Sequence, residues 1–466
     1  MALLIRNGEI ITADARCKAD LLCEGEQITK IGVNLEVPGP DGSGAGATVI
    51  DAKGKYVFPG FIDPHVHIYL PFMGTYAKDT YESASKAALV GGTTTLIEMC
   101  CPSRSDELLK SYELWLGKAE GKSACDFTFH MGVPRYDAKA EGELREIVKA
   151  GISSFKIFLA YKNFFGVTDE ELYQVLKLAK SLGVITTAHC ENADLVAQRQ
   201  QELLAEKKTD PKWHYWSRPP MVEAEGVHHL ATFAQLHDAH VYVVHTSCEE
   251  SLRAALRAKE RGVKIWVETL IQYLTLDMTH AELPDFEGSK FIMSPPLRDK
   301  KNQTVFWNAL RQGFVSTLAT DHAPFDFRGQ KEMGRGDFTK IPNGIPSLED
   351  RITIYYTHGV AAGRIDLHRF VDTASTAAAK LFGLFPRKGT IAVGSDADLV
   401  VFDPNYRGTI TQKNQHMNLD YNPFEGWEIK GRPSVVTVRG EIAAQDGNFV
   451  GKIGRGQLLR REPTHF

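Results

Sequence analysis

The feature that most constrains the fold is a repeated alternation of short apolar runs with amphipathic segments, extending from residue 56 to about residue 383. The runs are rich in β-branched residues, which favours strands. The segments between them carry apolar residues at helical spacing, and Gly183 and Gly262 follow two of them as expected C-caps. Such alternation predicts a parallel sheet, and this many units predicts an α/β fold built on a (β/α)8 TIM-like barrel. The runs include 93–97, 154–159, 184–188, 241–244, 264–268 and 315–319.

The two ends of the chain have a different pattern. Residues 1–55 and 384–450 contain short strand-like pieces separated by glycine and aspartate. We expect both ends to join into one small β-sandwich domain beside a barrel at residues 56–383. Residues 451–466 are polar, and we expect a tail that packs on another surface, with a neighbouring subunit as one candidate.

Composition limits the class of partner and the compartment. The formal net charge of −4 gives no electrostatic reason to expect nucleic acid or an anionic membrane, so the expected partner is a small molecule. No apolar stretch suits a signal peptide or a membrane span. Seven cysteines without a Cys-x-x-Cys motif argue against a disulfide framework. We therefore expect a cytoplasmic protein.

His65 and His67 come at the end of the first apolar run of the barrel. Side chains two residues apart on a strand point the same way, so both imidazoles can reach one metal ion. Catalytic groups of such barrels lie at the C-terminal ends of strands, and His189, His245 and Asp321 follow three later runs. Each histidine alone could be a core residue, and Asp321 alone could be a helix cap. Together the five residues predict a metal centre.

Lys156 lies inside the apolar run 154–159, where an unpaired ammonium ion is costly to bury. One interpretation is a lysine that extends to the rim of the barrel. The other is that burial depresses its pKa, so that the neutral amine reacts with CO2 to form a carbamate. The two oxygens of a carbamate can bridge two metal ions.

These residues complete the ligand set of a two-metal hydrolytic site. We predict two divalent ions, with zinc favoured and manganese or cobalt as substitutes, bridged by N6-carboxylated Lys156 and a hydroxide. Asp321 could take the proton of the shared water and pass it to a leaving nitrogen. Cys100, Cys101 and Cys190 could also be ligands, but buried free thiols are the favoured interpretation. The first ion is assigned to His65, His67 and Asp321, and the second to His189 and His245.

The chain closely resembles the cyclic amidohydrolases of the amidohydrolase superfamily, the group that contains dihydropyrimidinases and D-hydantoinases. The resemblance covers nearly the whole sequence, and the ordered set of motifs is highly specific. The motifs are PGFIDPHVH at 59–67, PFMGT at 71–75, GGTT at 91–94, FKIFLAYK at 155–162, AHCEN at 188–192, SPPLR at 294–298, TDH at 320–322, IPNG at 341–344 and GSDADLV at 394–400.

The resemblance implies hydrolytic opening of a cyclic amide, such as 5,6-dihydrouracil or a 5-substituted hydantoin, to an N-carbamoyl amino acid. Tyr161 matches the tyrosine that donates a hydrogen bond to the developing oxyanion. Ser294 and Asn343 match positions whose backbone groups hold the ureide edge of the ring. The family also implies a homotetramer, or in some members a dimer.

Several relatives share the metal ligands and serve as alternatives. Dihydroorotases typically carry an arginine where this chain has Tyr69, which disfavours a charged substrate, and allantoinases usually lack the tyrosine at position 161. Allantoinase is the alternative enzyme, and a non-catalytic scaffold is disfavoured because all six ligand positions are filled. The sequence does not choose between the two rings. Apolar side chains expected to line the substituent side, or to serve as loop packing, are Tyr69, Leu70, Phe72, Phe158, Phe164 and Phe165.

Overall fold

The computed structural model describes residues 2–37 and 47–464. Its strands in chain order are β1 (Ala2–Ile11), β2 (Arg16–Glu24), β3 (Gln27–Gly32), β4 (Thr48–Asp51), β5 (Tyr56–Pro59), β6 (Phe61–Val66), β7 (Pro71–Phe72), β8 (Thr75–Tyr76), β9 (Thr93–Cys100), β10 (Asp126–Gly132), β11 (Ser154–Phe158), β12 (Ile185–His189), β13 (Val241–Val243), β14 (Ile265–Leu270), β15 (Thr317–Ala319), β16 (Leu399–Thr409), β17 (Glu428–Val438), β18 (Glu441–Gln445) and β19 (Asn448–Phe449).

The α-helices in chain order are α1 (Tyr81–Val90), α2 (Leu108–Ala119), α3 (Ala138–Lys149), α4 (Asp169–Leu182), α5 (Ala193–Ala205), α6 (Trp213–Ser217), α7 (Pro220–His237), α8 (Glu249–Glu260), α9 (Ile271–Thr275), α10 (Lys301–Gln312), α11 (Arg351–Tyr355), α12 (Leu367–Val371) and α13 (Ala377–Leu381). Short 3-10 turns lie at Met278–Glu282, Glu287–Phe291, Lys331–Gly334, Phe338–Lys340 and Gln412–Asn414. Two π-helical turns lie at Tyr356–Val360 and Asp372–Thr376.

Eight parallel strands of the described chain form the barrel, in the order β15-β14-β13-β12-β11-β10-β9-β6. Its first and last strands meet just beyond their C-terminal ends, where Val66 and His322 form a parallel bridge. There the N–H of His67 donates to the carbonyl of His322 at 2.8 Å. This architecture is the expected (β/α)8 barrel, and it brings the loops after every strand to one face.

Helix α4 shows why the sequence pattern predicted the helices around the barrel. Thr168 caps its N-terminus by accepting a hydrogen bond from the N–H of Glu171. Gly183 ends it in the left-handed conformation at φ 67°, which glycine adopts without steric cost. Helix α4 thus ends directly before Gly183, its expected C-cap, and α8 ends at Glu260, two residues before Gly262.

A second sheet is formed by both ends of the described chain, with strand order β19-β18-β17-β16-β5-β1-β2-β3 and β4 paired to β1. It has its own hydrophobic core, which includes Leu3, Leu21, Val57 and Leu399. Strand β5 was expected to begin the barrel but pairs with β1 and β16 in this sheet. The chain therefore enters the barrel at Gly60, where a Cβ atom would collide with Thr94.

A buried cluster of charges joins this sheet to the barrel. The ammonium of Lys388 lies 2.7 Å from Asp126 on β10, 2.6 Å from Asp398 and 3.0 Å from Asp396. The guanidinium of Arg439 also contacts Asp126. Two cations thus neutralise most of the charge of three carboxylates at the N-terminal end of the barrel.

The C-terminal segment was predicted to pack on another surface, with a neighbouring subunit as one candidate. Its middle packs on the barrel of the same chain, where the N–H of Leu459 donates to the carbonyl of Phe127 at 2.7 Å. Leu459 and Arg461 are buried. Residues 465–466 lie outside the described part of the chain. Every described helix is too short or too polar to cross a membrane.

Candidate metal centre

The structure brings all six predicted metal ligands to the C-terminal end of the barrel. Lys156 lies in the middle of β11, and His189 is the last residue of β12. The six side chains come from five different strands or from positions within two residues of their C-terminal ends, and all are buried. They are His65, His67, Lys156, His189, His245 and Asp321.

The side chains approach one another as ligands of shared cations do. The Nε2 atoms of His65 and His67 each lie 3.1 Å from Oδ1 of Asp321. Ligand atoms of His65, His245 and Asp321 all lie within 4.8 Å of one another. The rings of His189 and His245 are 4.6 Å apart between centroids. One carboxylate oxygen therefore faces two imidazoles, with two more imidazoles beside them.

Unpaired polar atoms support a cation at this position. Within residues 2–37 and 47–464, Nζ of Lys156 and Nδ1 of His245 are buried without a hydrogen-bond partner. Such atoms are rare in folded proteins, since each loses its interactions with water and gains nothing. Nitrogen and oxygen donors without a cysteine suit zinc and similar divalent ions. The residues present therefore fit a divalent metal centre.

The cysteines that could have been ligands remain free thiols. Cys100, Cys101 and Cys190 are buried, and burial raises the pKa of the Cys101 thiol to about 12. The group of potential ligands found among the described residues contains no cysteine. This agrees with the favoured prediction that they pack as small apolar side chains.

Three site residues adopt a backbone conformation that non-glycine residues avoid. His245, Asp321 and Tyr161 have φ values of 38°, 49° and 56°. Each such residue costs on the order of 1–3 kcal/mol and persists only where surrounding contacts enforce it. The strain therefore points to residues whose orientation matters for function.

Two buried carboxylates orient the histidines. Glu268 accepts hydrogen bonds from Nδ1 of His65 at 2.7 Å, from the N–H of His245 at 2.8 Å and from the hydroxyl of Tyr242 at 2.7 Å. A histidine that donates from one nitrogen presents the lone pair of the other to a metal. Glu268 was not predicted as a site residue. The signal that identified Lys156, a charged residue inside an apolar strand, would also have identified Glu268 on β14.

The second carboxylate is Glu191, which pairs with Nε2 of His189 at 2.8 Å. Its same oxygen accepts from the guanidinium of Arg218 at 2.6 Å. All three side chains are buried. Glu191 and Arg218 were also not predicted, since nothing in their spacing distinguishes them from other polar residues in loops.

For three of the six residues the electrostatic environment favours the protonation state that a metal ligand needs. For His65, by contrast, burial lowers the pKa but the carboxylates of Glu268 and Asp321 raise it to about 9. Burial lowers the pKa of His245 well below its ordinary value, and His189 beside it lowers it further. Burial would raise the pKa of Asp321, but His65 and His67 hold it well below the usual carboxyl value. Burial also lowers the pKa of Lys156, against a smaller opposite effect of Asp321. His245 is therefore neutral, Asp321 is ionised, and Lys156 is shifted towards the neutral amine.

Two cavities lead from the ligands to the surface. The inner one has a volume of about 40 Å³ and is lined by His67, Lys156, His189, His245 and Asp321 together with apolar side chains. The outer one has a volume of about 860 Å³, and the two share Phe72, Tyr161 and Asn343 as lining residues. The outer cavity therefore adjoins the inner one at these three side chains.

The predicted apolar lining is mostly present. Leu70, Phe72, Phe158 and Phe165 line the inner cavity, and Phe164 lines the outer one. Tyr69 differs from the prediction. Its ring stacks on Tyr76 at 5.3 Å between centroids and also contacts Trp115, so it packs beside the cavities rather than lining them.

The three predicted substrate-binding residues come together beside the ligands. Nδ2 of Asn343 lies 2.9 Å from Oγ of Ser294 and 3.4 Å from the hydroxyl of Tyr161. The backbone N–H and C=O groups of Ser294 and Asn343 have no hydrogen-bond partner in the described part of the chain. Three loops thus bring a phenol, a hydroxyl and a carboxamide together at the inner cavity.

Comparison with known proteins agrees with this site. The Amidohydrolase family matches residues 56–443. A D-hydantoinase of Geobacillus stearothermophilus is 47% identical over 99% of this chain and 97% of its own length. The structure of a D-hydantoinase (dihydropyrimidinase) from Thermus sp. superposes with a TM-score of 0.97 at 66% identity, covering 100% of both chains. A dihydropyrimidinase structure from Brevibacillus agri has a TM-score of 0.96 at 45% identity over 99% of both chains. The chain therefore belongs to the amidohydrolase family, within its D-hydantoinase and dihydropyrimidinase group.

Proposed function

We propose that this amidohydrolase opens the ring of a cyclic ureide, either a 5,6-dihydropyrimidine or a 5-substituted hydantoin, to give an N-carbamoyl amino acid. The observation that carries the proposal is the inner cavity, which five of the six ligands share with Tyr161 and with Ser294 and Asn343, whose backbone groups have no hydrogen-bond partner among the described residues. A ureide edge carries alternating N–H and C=O groups, so unpaired backbone donors and acceptors complement it.

The ligand set fits two divalent ions, with zinc favoured, and the unpaired amine of Lys156 supports its carboxylation to a bridging carbamate. Bound divalent ions would polarise the ring carbonyl and lower the pKa of water. Glu268 and Glu191 hold the imidazoles in place for this role.

The residues of the chain account for the remaining steps of the hydrolysis. Water adds to the ring carbonyl carbon, a C–O bond forms, and the C–N bond of the ring breaks. Asp321, ionised between two histidines, takes the proton from the attacking water and returns it to the leaving nitrogen. The phenol of Tyr161 donates to the oxygen on which negative charge develops. Ser294 and Asn343 hold the ring through its ureide edge.

The outer cavity supports a preference for rings with an uncharged substituent. Phe72 and Phe164 contribute apolar surface there. Among the described residues, the two cations that line this cavity are already paired, Arg218 with Glu191 and Lys162 with Asp194. A carboxylate substituent such as that of dihydroorotate would therefore lack a free partner at Arg218. Allantoinase activity remains the alternative, and Tyr161 argues against it.

We further propose a cytoplasmic protein, supported by seven cysteines that are all free thiols in the described chain. A homotetramer, or a dimer, is proposed from family membership alone. Light scattering on the purified protein would measure the assembly directly.

A substrate panel on the zinc-reconstituted protein tests the proposed function. We expect ring opening of dihydrouracil, dihydrothymine, hydantoin and 5-substituted hydantoins, with uptake of one water per ring detected by mass spectrometry. Activity should disappear on chelation and return with zinc. Turnover of allantoin or dihydroorotate in preference to all of these rings, or of no ring at all, would contradict the proposal.

A further inference from the structure

Lys331 is a buried lysine to which the proposed mechanism gives no role. Its side chain is fully buried, and burial alone lowers its pKa well below the ordinary value, with no carboxylate among the described residues to oppose the shift. Its Nζ atom donates to three backbone carbonyls, those of Ile292 at 2.9 Å, Pro342 at 2.7 Å and Gly344 at 2.7 Å. An ammonium ion has three N–H donors, which matches three acceptors, whereas a neutral amine has two.

The three carbonyls belong to the two segments that carry the ring-binding groups. Ile292 precedes Ser294 by two residues, and Pro342 and Gly344 lie on either side of Asn343. The N–H of Gly344 also donates to the carbonyl of Ile292 at 2.9 Å. Lys331 therefore joins these two segments through three of their backbone carbonyls. The backbone groups of Ser294 and Asn343 are not among its partners.

We propose that Lys331 is a positioning residue for recognition of the ureide edge, and that it sets the spacing between the backbone groups of Ser294 and Asn343. The proposal rests on the proposed function, because it assumes that these groups bind the ring. A displacement of about 1 Å in such groups can change catalytic efficiency by about a hundredfold. A fully buried lysine without a counter-ion is otherwise an expensive way to join two loops, because burial disfavours its charged form.

The effect should fall on substrate binding. Hydrogen bonds to the ureide edge are present both in the bound substrate and in the transition state, so their loss raises KM more than it lowers kcat. If Lys331 only stabilised the fold, its replacement would instead lower the unfolding temperature and leave KM of the folded enzyme unchanged. The metal ligands are not contacted by Lys331, so metal content should not change.

The test compares Lys331→Met, which keeps the length of the side chain but removes the donors, with wild type and with Lys340→Met. Lys340 is an exposed lysine of the neighbouring 3-10 turn, with an ion pair to Asp337 at 3.3 Å. We expect Lys331→Met to raise KM for dihydrouracil and for hydantoin by about tenfold or more, with a smaller change in kcat per metal-loaded site. Lys340→Met should match wild type.

Lys331→Gln is the second variant, because Lys331→Met could fail to fold. Its amide can donate to two of the three carbonyls, so its KM should lie between those of wild type and Lys331→Met, and it decides the question alone if Lys331→Met is insoluble. Unchanged KM in the folded, metal-loaded variants overturns the inference, whatever their unfolding temperature. A wild-type enzyme that opens no ring overturns the proposed function, and the inference with it.

Discussion

Replacing Glu268 with glutamine should weaken metal binding while leaving the fold intact. One oxygen of Glu268 accepts from both Nδ1 of His65 and the N–H of His245, and the other accepts from Tyr242. The two donors on the first oxygen require the amide oxygen of glutamine to take that position. The tautomer of His65 is then retained, and the main loss is the negative charge beside the ligand.

The expected loss of metal affinity depends on whether the variant loses only the negative charge or also the hydrogen-bond acceptor. Loss of a carboxylate partner of a metal-binding histidine typically reduces metal affinity by about 10–100-fold. Because Glu268→Gln keeps the acceptor for His65 and His245, we expect about tenfold, equivalent to about 1.4 kcal/mol. Glu268→Leu removes the acceptor as well, so we expect about a hundredfold, together with a loss of stability from the unpaired N–H of His245.

The assay is competition for zinc with a chromogenic chelator, combined with metal analysis of the dialysed proteins. Glu249→Gln is a matched control, because Glu249 is a carboxylate at the start of α8 that pairs with Arg253 on the surface. It should bind zinc like wild type. The reasoning would be refuted by Glu268→Gln and Glu268→Leu with zinc affinities within twofold of wild type.

Three further predictions concern the site and the fold. Lys156→Ala should abolish activity and two-metal loading, with partial recovery in millimolar acetate or propionate; full activity without added acid would exclude a bridging carbamate. Tyr161→Phe should lower kcat by about 10²–10³-fold with unchanged metal content, because one oxyanion donor is lost; a kcat within threefold of wild type would refute this role. Lys388→Met should destabilise the fold by about 3–5 kcal/mol in urea unfolding at pH 8. That loss should shrink between pH 4 and pH 2, because burial raises the pKa of Asp126 but Lys388 and Arg439 hold it below its ordinary value of 3.8, so its contribution is present above that value and is lost as the pH falls through the lowered one; an equal loss at pH 8 and pH 2 would contradict the charge argument.

The sequence alone was sufficient to predict the barrel and to place the six proposed ligands at one of its ends, because both depend on local pattern. Alternating strands and helices specify the barrel, and a barrel places the end of every strand at one face. His189 at the end of β12 and Asp321 just after β15 could therefore be assigned to one site without knowledge of any distance between them. The roles of Tyr161, Ser294 and Asn343 came from the family resemblance, and the structure adds that the three side chains adjoin.

The tertiary structure decided the features that depend on contacts between distant segments. Glu268 and His65 are 203 residues apart in the chain, yet a hydrogen bond of 2.7 Å between them orients the imidazole ring of His65. Strand β5 could have begun the barrel by its pattern, but pairing with β16 places it in the other sheet. The three carbonyls around Lys331 likewise could not be predicted from residue types. Every residue has a carbonyl group, and only the fold determines where that group points. The sequence determines which chemical groups the protein has, whereas the packing of the whole chain determines the partner of each polar group.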